Sequence, residues 1–348
     1  MEQIYIDIFE KFDVSGNVTA TEVCHIGRIN TTVFVSTDGG EYVLQRINTY
    51  VFKKPDEVMA NAVAVTAHLR AKGIPTLTFL KTKTGAYYHE DERGAWRLAK
   101  REVGATYNEP TPELLERGAK AFGLFQRALA DFDATSLYET IPNFHNTPAR
   151  IEALWASVAT AERERIAASV DTVNGIRQLA AQGSYIQSLL DSGTLPLRVV
   201  HNDTKINNVL LGDDGVDVVL DLDTVMPGSL LYDFGDAIRS GASTRPEGSV
   251  DFEGFSVDIE RYDAFLRGFL SEVGDKLTAE ELKLLPFSAF VLTYELAVRF
   301  LTDYLDGDKY FKVSYPLENL DRAKGQLALA RNIFFRLDEL ALLTKKYV

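Results

Sequence analysis

Residues 199–224, "VVHNDTKINNVLLGDDGVDVVLDLDT", constrain the fold more than any other segment. Three apolar runs, "VV" (closing "LRVV" from residue 197), "NVLL" and "VDVVL", are too short for helices and alternate with polar turns, which reads as three short strands. Asp214 and Gly215 close the second run onto the third as a hairpin. The turn after the first strand presents His201, Asp203, Lys205, Asn207 and Asn208, and the third strand ends on Asp221, Leu222 and Asp223. A hairpin of this kind sets the turn beside the end of the third strand, so Asp203, Asn208 and Asp221 are expected to converge.

That set of groups matches the needs of phosphoryl transfer. A carboxylate must orient an acceptor hydroxyl and take its proton, and oxygen ligands must hold magnesium against the phosphates. Asp203 fits the first role, and Asn208 with Asp221 the second. Lys205 lies two residues beyond Asp203 on an extended turn, projects to the same side, and can neutralise the transferring group. Asp223 is either a second carboxylate on the metal side or a turn former before Met226, Pro227 and Gly228. Asn207 fits a structural turn equally well.

Charge narrows the partners. With 37 Lys and Arg against 50 Asp and Glu, the net charge is −13, which argues against a nonspecific nucleic-acid or anionic-membrane binder. Any phosphate ligand must then meet a local cluster of cations. The single cysteine, Cys24, excludes an internal disulfide or a cysteine-built metal site, suits the reducing cytoplasm, and reads as a small buried hydrophobe in a strand. The N-terminus "MEQIYIDIFEKFDVSG" lacks the pattern of a signal peptide, and no later run suggests a membrane span, so a cytoplasmic location is expected.

At 348 residues the chain exceeds one ordinary core, and its texture divides it. Residues 1–103 read as an antiparallel sheet carrying one helix: "ATEVCHIG" and "TTVFVSTDGGEYVLQRI" are strand-rich, with Asp38, Gly39 and Gly40 as a hairpin turn. "DEVMANAVAVTAHLRAKG" is helical and closed by Gly73, and "TLTFLKTKTGAYYHE" and "GAWRLAKREV" resume strand character around a turn at Lys83, Thr84 and Gly85. A linker, "VGATYNEPT", leads into residues 104–348, which are mainly helical. "PELLERGAKAFGLFQRALADF" opens that part, and a helical insert at about 148–190 is expected to break at Asp171–Gly175. The expected class is α+β: a small N-terminal antiparallel-sheet lobe and a larger helical C-terminal lobe.

The pattern His-x-Asp-x-x-x-x-Asn at 201–208, followed by a hairpin and a strand-end aspartate 18 residues after Asp203, resembles the aminoglycoside phosphotransferase and choline kinase superfamily, whose fold is protein-kinase-like. "YVLQRINTYVF", "FHNTPAR", "HNDTKINNVL", "DLDTVMPG" and "YDFGDAIR" are further similar to the N-acetylhexosamine 1-kinase branch. The resemblance implies a monomeric or homodimeric enzyme that uses magnesium and ATP to phosphorylate the anomeric hydroxyl of N-acetylglucosamine or N-acetylgalactosamine. The same chemistry on choline, homoserine, another sugar or an aminoglycoside is the first rival. A catalytically weak nucleotide-binding scaffold is the second.

The resemblance also implies roles. His201 braces the turn through hydrogen bonds to backbone rather than acting as a base. "HIGRINTTV" is similar to a loop over the nucleotide phosphates, with Gly27 and Asn30 in it; an ordinary β-turn is the alternative. On the following strand a lysine normally pairs the phosphates, but "VLQR" leaves Gln45 or Arg46 there. Alternation puts Gln45 on the face of Val43 and Arg46 on that of Leu44. Glu57 reads as an exposed first-turn glutamate. Glu102, Val103 and Gly104 are expected to meet the purine edge through backbone groups, between Val43 and Leu210. Asp233, in Asp-Phe-Gly, caps or braces the metal loop from behind, while Asp221 in "DLD" is the metal-side aspartate.

One further helix, "SAFVLTYELAVRFLTDYLDG", carries Glu295, Arg299, Thr302 and Asp303 on one face of an otherwise apolar segment. Such a stripe lines a cavity or makes an internal pair such as Glu295 with Arg299. With Tyr294 and Tyr304 adjoining, the cavity reading makes Arg299, Asp303 and Tyr304 candidates for the acceptor sugar. Phe144, His145 and Asn146 in "FHNTPAR" are further candidates.

Overall fold

The structure, a computed structural model, describes residues 2–24 and 29–348. It begins with α1 (Gln3–Phe9), β1 (Val18–Cys24), β2 (Thr31–Thr37), β3 (Gly40–Ile47) and α2 (Pro55–Ala71), then β4 (Phe79–Leu80), β5 (His89–Asp91) and β6 (Gly94–Lys100). Helices α3 (Pro112–Ala128), α4 (Thr147–Thr160), α5 (Arg163–Gly183) and α6 (Tyr185–Asp191) follow. Three short strands come next, β7 (Arg198–Val200), β8 (Val209–Leu211) and β9 (Asp217–Val219). The chain ends in α7 (Leu230–Gly241), α8 (Ile259–Val273), α9 (Ala279–Leu305), α10 (Glu318–Phe335) and α11 (Leu337–Thr344).

Two compact units result. The sheet unit comprises Met1–Thr106, Asp131–Pro142 and Val209–Pro227; the helical unit comprises Tyr107–Ala130, Asn143–Asn208 and Gly228–Val348. The expected linker contains the first crossing, after Thr106, and the chain then returns to the sheet unit twice.

In the sheet unit the strand order is β1-β2-β3-β6-β4, with β5 also on β6 and every pairing antiparallel. The turn at Asp38 and Gly39 joins β2 to β3 as expected. Alternation sorts the side chains: Val33, Val35, Tyr42, Leu44, Trp96 and Leu98 form one core with Ile8, Phe9 and Phe12 at α1. The other face carries Val43 and Gln45 of β3 opposite Ala99 and Arg97 of β6. Cys24 ends β1, partly buried. Strands β8 and β9 form the expected hairpin, turned by Gly215 at φ +83°.

The helical unit is organised around α9. Thr278 and Glu281 cap it reciprocally, and it runs 27 residues through an internal proline, Pro286. Against expectation it is long and apolar enough to cross a membrane, but 83% of an apolar 18-residue window within it is buried inside the protein, as in a core helix. The insert also differs from expectation: α5 runs unbroken through Asp171–Gly175, and the breaks fall at Ala161–Glu162 and at Ser184. Gly175 stays helical because its missing side chain makes room; a Cβ there would lie 2.7 Å from a Leu327 methyl and 2.6 Å from the Arg331 guanidinium.

Candidate active site

Strand β7 leads into a buried His201, and the next residue, Asn202, takes the left-handed conformation at φ +65°. Asparagine tolerates that conformation better than most residues. The turn is held from α7. Asp233, 1% exposed, accepts hydrogen bonds from the backbone N–H of His201 at 2.9 Å and of Asn202 at 2.7 Å, and from the Gln126 amide; its own carbonyl accepts from Thr204 Oγ1. Burial pushes the Asp233 carboxyl up, while His201, Asn202 and Gln126 work against that shift. His201 packs edge-on to Phe122 and Phe125.

The Asp-Phe-Gly triplet is thus a scaffold. Asp233 clamps the turn, and Phe234 fills the core against Tyr262, Phe265 and Phe269. Gly235 lets α7 approach α9 so closely that a Cβ would sit 2.5 Å from the Ser288 carbonyl oxygen. The helix cap is Ser229, which accepts from Leu231 N, so Asp233 braces rather than caps.

On this frame Asp203 stands 27% exposed, paired with Lys205 Nζ at 2.9 Å. Asn208 donates through Nδ2 to the Asp203 carbonyl at 2.8 Å and to its Oδ2 at 2.9 Å, leaving Oδ1 as the atom suited to a cation. Burial raises the Asp203 carboxyl, but Lys205, with help from His201 and Asn208, outweighs it and holds the group down at about 2. Asp203 is therefore an ionised acceptor at neutral pH, suited to orienting a hydroxyl rather than to strong basicity. Lys205 is pushed up chiefly by Asp203 and, more weakly, by Asp236. Asn207 bonds Asn108 as a turn residue.

A second cluster in the helical unit joins α9 to this turn. Glu295 does not pair with Arg299. Its carboxylate meets His145 Nδ1 at 2.8 Å and accepts from Thr147 Oγ1 at 2.8 Å, and His145 Nε2 meets the Asn202 carbonyl at 3.1 Å. Both ring nitrogens thus face oxygen atoms of the protein. Burial raises the Glu295 carboxyl, but His145, Arg299 and Arg150 together hold it below its ordinary value.

Arg299 lies over the rings of Phe144 and Phe311, 5.0 and 5.8 Å from their centroids. Among the described residues its guanidinium has no hydrogen-bond acceptor. Asp303 is fully engaged: its oxygens accept from the backbone N–H groups of Lys309, Tyr310 and Phe311 and from Asn319. It thereby shapes the turn that carries Phe311. Tyr304 is buried under Arg165, Tyr294 bonds the Ile176 carbonyl, and Asn146 caps α4.

In the sheet unit Gly27 lies outside the described residues. Asn30 donates to Asp223 at 2.6 Å and accepts from Asn48 N at 2.9 Å. Gln45, not Arg46, shares the face of Val43, as expected, and Arg46 is exposed. Asp223 is 1% exposed, and its oxygens are taken by Asn30 and Arg97 while its carbonyl accepts from Thr140. Asp221 is exposed and in left-handed backbone at φ +52°. Gly104 passes so close to β8 that a Cβ would be 2.8 Å from Leu210 and from the Leu211 carbonyl oxygen. Ala105 pairs with Leu211, while Val103 points outward, 87% exposed. Glu57 pairs with Lys54 at 2.7 Å.

Asn208 Oδ1 in the helical unit and, separately, the Asp221 carboxylate in the sheet unit are hard oxygen donors of the kind magnesium takes. Among the described residues no group of three or more acidic, His or Cys side chains forms an all-protein metal cage. Sequence reasoning missed Arg97, Arg150 and Phe311; an arginine inside the otherwise apolar run "GAWRLA" was the available signal for the first.

The fold is α+β and protein-kinase-like, the class of the small-molecule phosphotransferases. Residues 21–270 match the phosphotransferase enzyme family, and the chain belongs to it. The homoserine kinase of Methylobacillus flagellatus is 28% identical over 233 residues, a match spanning 67% of this chain and 65% of that protein, less than two thirds of its length. An aminoglycoside phosphotransferase from Alicyclobacillus acidocaldarius superposes with a TM-score of 0.67 at 15% identity, covering 98% of this chain and 96% of that one. A microcompartment-associated aminopropanol kinase gives 0.63 at 16%, covering 98% of each chain. The choline kinase of Cryptosporidium parvum gives 0.60 at 12%, covering 100% and 99%. At these identities the structures share the fold alone.

Proposed function

We propose that the chain is a small-molecule kinase that moves the γ-phosphoryl group of ATP to the anomeric hydroxyl of an N-acetylhexosamine. The carrying observation is the turn in which Asp203 is ionised, partly exposed and fixed by Lys205 and Asn208. In the proposed step the acceptor oxygen bonds to the γ-phosphorus, its proton passes to Asp203, and the bond to the β-phosphate oxygen breaks to release ADP. Lys205 offsets charge on the transferring group. Asn208 and Asp221 are the proposed protein ligands of a magnesium ion, which would supply positive charge against the phosphates. Because such transition states are loose, positioning and charge neutralisation carry most of the rate.

The acceptor assignment is supported by Arg299, a guanidinium over two aromatic rings with no protein acceptor among the described residues. An aromatic floor and a guanidinium donor suit a sugar ring with an amide carbonyl. Homoserine is the second reading, favoured by the matched homoserine kinase; its carboxylate would suit the same arginine.

The test is nucleotide consumption by the full chain across N-acetylglucosamine, N-acetylgalactosamine, homoserine and choline, with Asp203→Asn as control. Preferred turnover of an N-acetylhexosamine, lost in Asp203→Asn at nearly unchanged nucleotide affinity, is expected. Turnover confined to homoserine or choline would overturn the sugar assignment, and near-normal turnover in Asp203→Asn would overturn the role of Asp203.

A further inference from the structure

A nucleotide's phosphates need cations, the protein as a whole is acidic, and β3 offers Gln45 where a charge would be useful. The register supplies one from the neighbouring strand. Arg97 of β6 lies directly across from Gln45, and its Nε donates to Gln45 Oε1 at 3.0 Å, while Gln45 Nε2 donates to Thr32 Oγ1 at 3.1 Å. Gln45 therefore orients the guanidinium instead of carrying charge itself.

The guanidinium lies over Phe79, 5.6 Å from its centroid, and Nη1 donates to Asp223 Oδ1. Asn30 fixes the other Asp223 oxygen, and Asn48 N fixes Asn30. Arg97 and Asp223 are 3% and 1% exposed. Among the described residues Arg97 Nη2 has no acceptor, so one arm of a rigidly held fork is unused.

A buried ion pair is weak evidence of a stability role, because apolar replacements are often neutral or stabilising. This one stands two residues from Asp221, oriented by Gln45 on one side and by Asn30 through Asp223 on the other. We infer that Arg97 is the cation through which the sheet unit binds the phosphates of the nucleotide, with Nη2 donating to a phosphate oxygen while Nη1 stays on Asp223. A planar fork can hold two acceptors at once, which a lysine at this place would do less well.

The inference rests on the proposed use of a nucleotide, and the test separates the two. Calorimetric titration of the full chain with adenosine and with ADP gives the affinity that the phosphates add. The parent is expected to bind ADP more tightly than adenosine. In Arg97→Gln that ratio should fall by about tenfold or more, the size of one or more lost charge-assisted hydrogen bonds, with adenosine affinity unchanged. Arg97→Lys, which keeps the charge and tolerates the pair with Asp223, should retain an intermediate ratio. It carries the test alone if Arg97→Gln does not fold, with a fall of about threefold expected. A merely structural role would weaken both ligands together. An unchanged ratio in the variants, or equal losses for adenosine and ADP, would overturn the inference. Binding of neither ligand by the parent would overturn the nucleotide reading and the inference with it.

Discussion

Asp233→Asn isolates the clamp on the catalytic turn. The carboxylate accepts from His201 N and Asn202 N with different oxygens. An asparagine offers one carbonyl oxygen, so either orientation turns an amide N–H₂ toward one of those backbone donors. One buried N–H is then unpaired, which costs about 1–3 kcal/mol, and a hydrogen bond to a charged group worth about 1.5–3 kcal/mol is lost. Together the loss is about 2.5–6 kcal/mol, a large part of the stability of an ordinary domain. The left-handed backbone at Asn202 loses its restraint directly before Asp203, and a displacement of about 1 Å there lowers turnover by about a hundredfold. Urea denaturation should show the midpoint fall at unchanged slope, and turnover at saturating substrates should fall in the fraction that remains folded. A variant within about 0.5 kcal/mol of the parent with parental turnover would refute the clamp.

Gly235→Ala forces a Cβ to 2.5 Å from the Ser288 carbonyl oxygen, so thermal denaturation should reveal about 1–3 kcal/mol of destabilisation; an unchanged midpoint would show that α7 and α9 can separate freely. Glu295 has a depressed carboxyl, chiefly from His145, Arg299 and Arg150 acting against burial. Its stabilising contribution is complete above the unfolded carboxylate value and lost as pH falls through the lower native one. Glu295→Gln should therefore show a shallower loss of stability below about pH 4.5 in urea titrations than the parent, and parallel curves would reject the coupling. Arg299→Ala should raise KM for the acceptor about tenfold or more while leaving KM for the nucleotide unchanged, and steady-state kinetics with each substrate varied would show an equal shift in both if Arg299 only supports the fold.

Part of the site was legible because it is local in sequence. The turn from His201 to Asn208 and the hairpin at Asp214 and Gly215 follow from spacing and from strand and turn chemistry, whereas Asp233 was open between cap and brace until Ser229 took the cap. What was hidden depends on distant partners. His145 reaches Asn202 and Glu295, 57 and 150 residues away, so its use inside the fold cannot be read from "FHNTPAR". Asp303 looked like a site residue because it shares a helix face with Arg299, yet the turn that follows it offers three backbone donors. Arg97 becomes meaningful only once the register puts it opposite Gln45. The unbroken α5 shows tertiary packing around Gly175 overriding a local break signal.

Phosphorus NMR of the product is the most direct measure of the central claim. Full-length protein with magnesium, ATP and N-acetylglucosamine or N-acetylgalactosamine should yield ADP and one new phosphomonoester resonance coupled to the anomeric proton, absent with Asp203→Asn. A phosphoester at another sugar hydroxyl, an ester formed only with homoserine, or ATP left intact with every acceptor would contradict it.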